Sequence, residues 1–410
     1  MKNWPVHSLV DVTNLITCGV AKKPNYVDSG VPFLSAKNVK NGKVIWSEHK
    51  YITQEDHNEL TKHNKPLPGD ILYTRVGSFG EAAIIDSYNE FSVFVSLTLI
   101  KPKHDILISE YLKYYLNSST VKELAKASIS GSGVGNLNVG TVRKFPIPLP
   151  SISEQKRIVA LLDTVFTDLE QTRAKTEQNL KNARELFESY LQQVFSSKDD
   201  NIKSTELGEV VDVLTDYHAN GSYKVLKQHV ELSDQEDFAW MVRSTDFEKK
   251  FQNSKRYISE HAYNYLTKSK LFGGEIIMSK IGNAGKVYLM PETDRACSLA
   301  MNLFLIRLDA SKANNEYVYR YLNSSSGKAQ IAPRLKGAAT QTITKDNVRS
   351  LLIPLPSLVK QKEHILALQE LEVETKALET LYLRKLDKID ELKKSILQKA
   401  FSGELTTETK

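Results

Sequence analysis

Cysteine is the scarcest residue in this chain. Only Cys18 and Cys297 occur in 410 residues, far apart and without a Cys-x-x-Cys pair. That excludes a disulfide framework and a cysteine-based zinc site. Proline is never followed by proline, which removes the usual amino-methyltransferase catalytic tetrapeptide. No phosphate-binding loop fits: Gly285-Lys286 runs into Val287 and Gly327-Lys328 into Ala329, where Ser or Thr is required. Gly131-Ser132-Gly133 follows Ser130 and lacks the flanking glycine of a nucleophile elbow. The nine histidines are scattered and form no zinc helix. Glu48-His49-Lys50 and Glu248-Lys249-Lys250 match the Glu-x-Lys part of a metal-dependent nuclease core, but so charged a chain produces such triplets by chance. Long apolar runs are missing too. Phe91 to Ile100 is about half the length needed to span a bilayer, and Met1 through Thr13 holds no signal core. The expectation is a cytoplasmic protein with no membrane segment and no catalytic site of its own.

What is present is ordinary in amount. Charged residues make up 25% and hydrophobic ones 41%, and the net charge of +6 permits an acidic partner without demanding one. The organisation is less ordinary. Ile147-Pro148-Leu149-Pro150-Ser151 with Gln155-Lys156 returns as Ile353-Pro354-Leu355-Pro356-Ser357 with Gln361-Lys362, at the same internal spacing. Val10-Asp11-Val12 echoes in Val211-Asp212-Val213, Gly69-Asp70-Ile71-Leu72 in Gly274-Glu275-Ile276-Ile277, and Tyr115-Leu116-Asn117-Ser118-Ser119 in Tyr321-Leu322-Asn323-Ser324-Ser325. The chain is a tandem duplication with a repeat of roughly half its length.

Within copy one, Leu9–Val12, Val31–Leu34, Ile71–Tyr73, Ala82–Ile85 and Val93–Ile100 read as strands, and Ser109–Leu116 as a short helix. Lys43–Lys62 has no obvious counterpart in Asp246–Lys268. After each Pro-Leu-Pro-Ser word the text becomes long, periodic and free of glycine and proline. A first helix runs from Ser151 to about Ser197 with Ser153-Glu154 at its start, and carries Ile158, Leu162, Val165, Leu169, Thr172, Thr176, Ala183, Phe187, Tyr190 and Val194 on one seam. A second runs from about Leu358 to Phe401, with Leu371, Thr375, Leu378, Tyr382, Ile389, Leu392 and Ile396 on its seam and Gly403 as its cap. The two seams can bury against each other as an antiparallel pair, a rigid spacer of roughly 65 Å. The charged outer faces of these helices either bind partners or are simply solvated.

Polar loops on a rigid scaffold are where a DNA reader would place its contacts. In copy one the candidates are Lys37, Asn38, Arg75, Ser78, Phe79, Ser130, Ser132, Asn136 and Asn138. In copy two they are Arg243, Ser244, Thr245, Lys280, Asn283, Arg334, Lys336, Thr340, Gln341 and Thr342. Ordinary turn chemistry accounts for the same Gly, Asn and Ser residues. A shared framework with divergent loops tips the reading toward two readers of different targets.

The order of parts resembles the specificity subunit of a type I restriction–modification system over essentially the whole chain. The Pro-Leu-Pro-Ser-x-x-x-Gln-Lys stretches at 148–156 and 354–362 carry it, with Gly337-Ala338-Ala339-Thr340-Gln341 and Leu397-Gln398-Lys399-Ala400-Phe401. Copy one departs where Gly133-Val134 faces Ala339-Thr340. The resemblance implies an α+β fold with two mixed α/β target-recognition domains, at 1–150 and 199–356. Two long antiparallel coiled-coil helices, at 151–198 and within 357–410, would separate them. It implies a non-catalytic subunit reading the two halves of a split, asymmetric site on double-stranded DNA. Two methyltransferase subunits would dock on the helices, with Gln155, Lys156, Gln361 and Lys362 as candidate contacts, and restriction subunits would join them. S-adenosylmethionine, ATP and magnesium would belong to those partners, and this chain would hold no cofactor. A DNA-binding adaptor for a methyltransferase alone, and a coiled-coil scaffold without a DNA role, are the competing readings.

Overall fold

The structure is a computed structural model that describes residues 4–19, 24–77, 79–87, 89–129, 135–196 and 203–406. The chain divides into two compact units, residues 1–178 with 382–410, and residues 179–381. Neither unit is a continuous half of the sequence repeat, because each long helix contributes one part to each unit.

Both units are built on one plan. In unit one a four-stranded antiparallel sheet runs in the order Thr13–Cys18, Leu97–Pro102, Ile71–Thr74, Ala82–Ile84. Unit two repeats it as Val211–Asp216, Leu303–Leu308, Ile276–Ser279, Val287–Leu289. Ile71–Thr74 and Ile276–Ser279 are buried at every position, as central strands covered on both faces must be. A helix hairpin covers each sheet: Ser109–Leu116 with Ser119–Ala127, and Asn315–Asn323 with Ser325–Ile331. The second helix of each hairpin is capped by a serine at the repeated Asn-Ser-Ser word, Ser118 on Val121 N–H and Ser324 on Gly327 N–H.

Each unit also holds a second four-stranded sheet, and here the repeat extends further than the text suggests. Val31–Leu34 pairs parallel to Ser92–Val93 and antiparallel to Lys50–Ile52. Ala239–Val242 pairs parallel to Cys297–Leu299 and antiparallel to Tyr257–Ile258. A capped helix follows each strand, Gln54–Thr61 after Thr53 and Glu260–Tyr265 after Ser259. Asp246–Lys268 therefore does contain the counterpart of the end of Lys43–Lys62. The match lies in strand and cap positions, not in identical residues.

Two strand readings change. Leu9–Val12 is a turn between Val6–Ser8 and Thr13–Cys18, although Leu9 and Val12 are buried. Val93–Ile100 is two strands, broken at Phe94–Ser96 where Leu97 N–H bonds back to Phe94. The helix limits are Ile152–Ser196 and Leu358–Phe401. Ser151 rather than Ser153 precedes the first helix, its hydroxyl accepting from Glu154 N–H.

In unit one the two helix parts run antiparallel, with Glu170 paired to Lys393 and Arg173 to Asp390. Ile158, Leu162 and Phe166 share a core with Leu397 and Ala400. In unit two Leu191, Val194 and Phe195 share a core with Ile365 and Leu368, and Arg184 pairs with Glu379. The first seam is buried or half-buried throughout, whereas Leu378 and Leu392 of the second are exposed. No helix among the described residues is long and apolar enough to cross a membrane.

Candidate nucleic-acid interface

The two segments singled out in each copy meet. In copy one the turn after Ile71–Thr74 is bridged to the later polar loop through Val76 and Asn136, and Leu137 N–H bonds to Arg75 C=O at 2.8 Å. In copy two Ile281–Gly282 forms a short ladder with Gln341–Thr342, and Ile343 N–H bonds to Lys280 C=O at 3.1 Å. Sequentially distant loops thus form one edge in each unit. The turns need left-handed backbone, which Gly77 and Gly282 supply at φ 79° and 84°.

On these edges the exposed side chains are few. Asn136 and Asn138 are exposed in unit one and Phe79 is half-buried. Asn138 caps the helix Val139–Arg143, its side-chain oxygen accepting from Gly140 N–H. In unit two Lys336, Thr340 and Gln341 are exposed on a hairpin closed by reciprocal Lys336–Thr342 backbone bonds, with Thr342 half-buried. Asn283 is exposed and donates to Glu248. Lys37, Ser244 and Thr245 lie on other segments, Lys37 and Thr245 exposed and Ser244 half-buried. Ser78, Ser130 and Ser132 lie outside the described residues.

The arginines have a different task from the one expected. Arg75 is buried and donates to Leu137 C=O, Val95 C=O and the Asn136 side chain, so it fastens the loop. Arg243 clamps Asp246 and Ser254 C=O. Burial pushes the Asp246 carboxyl up, but bonds from Arg243 and Asn253 outweigh it and hold the group below the carboxylate range. Arg334 donates to Gln330 C=O and to Ser350. Asn38 is buried too, bonded to Ser35 N–H and to the carbonyls of Ile45 and Ser47. These four residues are bonded into the framework, Arg75 and Asn38 buried and Arg243 and Arg334 half-buried.

Gln155 and Gln361 are likewise corrected. Both are fully buried. Gln155 accepts from Ile108 N–H and donates to Ile106 C=O and Pro150 C=O. Gln361 repeats this with Asn314 N–H, Lys312 C=O and Pro356 C=O. The repeated word is kept by geometry: its prolines lack N–H groups, and their carbonyls receive these amides and the hydroxyls of Tyr111 and Tyr317. Lys156 and Lys362 remain exposed.

Sequence reasoning missed Asp216 and Lys345, which meet Lys280 in unit two. Cys18 stands in the strand position of Asp216, and Val139 begins the helix that Lys345 begins in copy two, so the repeat gave no signal. Among the described residues no three metal-ligating side chains gather.

The family model described as type I restriction modification DNA specificity domain matches residues 1–180 and again 199–389. The chain is similar to the type I restriction enzyme StySPI specificity subunit of Salmonella potsdam, 22% identical over 99% of this chain and 90% of that one. It is similar to the type I restriction enzyme EcoKI specificity subunit of Escherichia coli K12, also 22% identical with the same coverage. A solved structure described as showing complex assembly and conformational transition of the type I R-M system matches its fold, with a TM-score of 0.73 at 17% identity over 98% of each chain. On the twice-matched family model, this chain belongs to the type I restriction–modification DNA specificity family.

Proposed function

We propose that this chain is the non-catalytic specificity subunit of a type I restriction–modification complex, each unit reading one half of a split, asymmetric site on double-stranded DNA. The observation that carries the reading is the paired edge. Both units bring a glycine turn and a distant polar loop together by the same backbone bonds, yet present different exposed side chains: Asn136 and Asn138 in one, Lys336, Thr340, Gln341 and Asn283 in the other. A constant frame with exchangeable contacts is what two readers of different half-sites require.

Adenine-N6 methylation and cleavage belong to partners. Methyltransferase subunits would supply S-adenosylmethionine and extrude the target base, and restriction subunits would bring the ATP-driven motor. The exposed faces of the long helices, including Lys156 and Lys362, are the surface offered to them.

Methylome sequencing of cells carrying this chain with its methyltransferase tests the reading. N6-methyladenine at a two-part motif is expected, and replacing residues 1–150 with those of another family member should change one part only. An active, bound methyltransferase that produces no new methylation would overturn it.

A further inference from the structure

In unit two one carboxylate faces two ammonium groups. Lys280 Nζ lies 2.8 Å from Asp216 Oδ2, and Lys345 Nζ lies 3.4 Å from Oδ1. Asp216 ends a central-sheet strand, Lys280 opens the turn of the candidate edge, and Lys345 follows its hairpin. The Asp216 side chain is 10% exposed, while the lysines keep 30% and 32%. The Lys280 ammonium also sits 5.5 Å from the centre of the Phe304 ring.

The frame does not need this triad. In copy one Arg75 takes the place of Lys280, Cys18 that of Asp216 and Val139 that of Lys345, yet the turn and loop are joined by the same backbone bonds. A purely structural ion pair would also be complete with one lysine. The second leaves a net positive charge, and each ammonium has three donors of which the carboxylate takes one. Both lysines flank the edge assigned to DNA, Lys280 at its turn and Lys345 just after its hairpin.

We propose that Lys280 and Lys345 bind a phosphodiester of the DNA backbone at the second half-site, and that Asp216 is a built-in competitor that holds them converged when DNA is absent. This rests on the DNA-reading assignment above. A phosphodiester, like a carboxylate, presents two anionic oxygens to two donors. Asp216 preorganises the pair and cancels half of its charge. The contact then fixes register without gripping duplexes of the wrong sequence.

The test measures binding of the full chain, with its methyltransferase subunits, to a duplex carrying its methylated motif and to a scrambled duplex, across a KCl series. D216N is expected to tighten both by about 5–10-fold and to narrow the preference for the motif, because each freed phosphate contact adds to the counterion-release slope. K280Q/K345Q is expected to weaken binding and to flatten that slope by about 1–2. Opposite signs cannot both come from misfolding. An unchanged slope in K280Q/K345Q overturns the proposal, and so does unchanged or weaker binding by D216N. A wild-type complex that does not prefer its motif would sink the DNA-reading assignment instead.

Discussion

Phe195 stands edge-on to Tyr317, ring centroids 5.2 Å apart, and also meets Tyr321 at 5.3 Å. Phe401 makes the same two contacts with Tyr111 and Tyr115, at 5.2 and 5.1 Å. Phe195 belongs to the first sequence copy and packs in unit two; Phe401 belongs to the second and packs in unit one. Each unit is therefore closed by the helix end of the other copy.

Phe195→Ala should accordingly destabilise unit two by about 3–5 kcal/mol, the usual range for a buried phenylalanine. Amide exchange read by mass spectrometry should show lost protection in peptides from 203–355, with peptides from 5–129 unaffected. Loss confined to the latter would contradict the assignment of Phe195.

Gln155→Ala removes three hydrogen bonds in a buried site and leaves Ile108 N–H without its Gln155 partner. The expected loss is about 2–4 kcal/mol in thermal or urea unfolding. Lys156→Gln, at an exposed position, should stay within about 0.5 kcal/mol of wild type. A weaker methyltransferase pull-down with unchanged stability for Gln155→Ala would restore Gln155 as a contact residue.

At Arg75 the charge is secondary to the fork of donors. Arg75→Lys keeps the charge but cannot reach Leu137, Val95 and Asn136 together, so it should disturb first-half-site methylation as much as Arg75→Gln. Rescue by lysine, read from the methylated motif, would mean that the charge itself contacts DNA.

His57 gives unit one a pH dependence. Burial lowers its pKa, Glu90 raises it and Lys65 lowers it further, for a net downward shift; Nδ1 lies 2.9 Å from Ser92 Oγ. The unfolded chain then takes up the proton first, near pH about 6.5. Stability contributed by the neutral ring is full above that value and is lost as pH falls toward the folded pKa. Urea midpoints from pH about 7.5 down to about 5 should fall more for wild type than for His57→Gln. Parallel curves would show that His57 does not carry the effect.

The duplication, the long helices and the central strands were legible because each leaves a periodic or repeated trace. The end points Phe401 and Leu358 could be read to the residue. The turn at Leu9–Val12 was not, since buried apolar residues in a tight turn look like a strand. The intramolecular bonds of Arg75, Arg243 and Arg334 were hidden for another reason. A sequence gives the charge of a guanidinium but not whether carbonyls of its own chain surround it. Asp216 was invisible because a repeat highlights what two copies share, and this carboxylate is what they do not.

The division of the chain also orders its synthesis. Unit two is continuous from residue 179 to 381, whereas unit one needs residues 382–401 to finish its core. At about 5–20 residues per second the ribosome releases the first globular region well before its closing helix exists. Unit two can thus fold first, while unit one waits with the surface around Tyr111 and Tyr115 uncovered. A nascent-chain binding factor that shields apolar surface would find its target there, in the half made earliest.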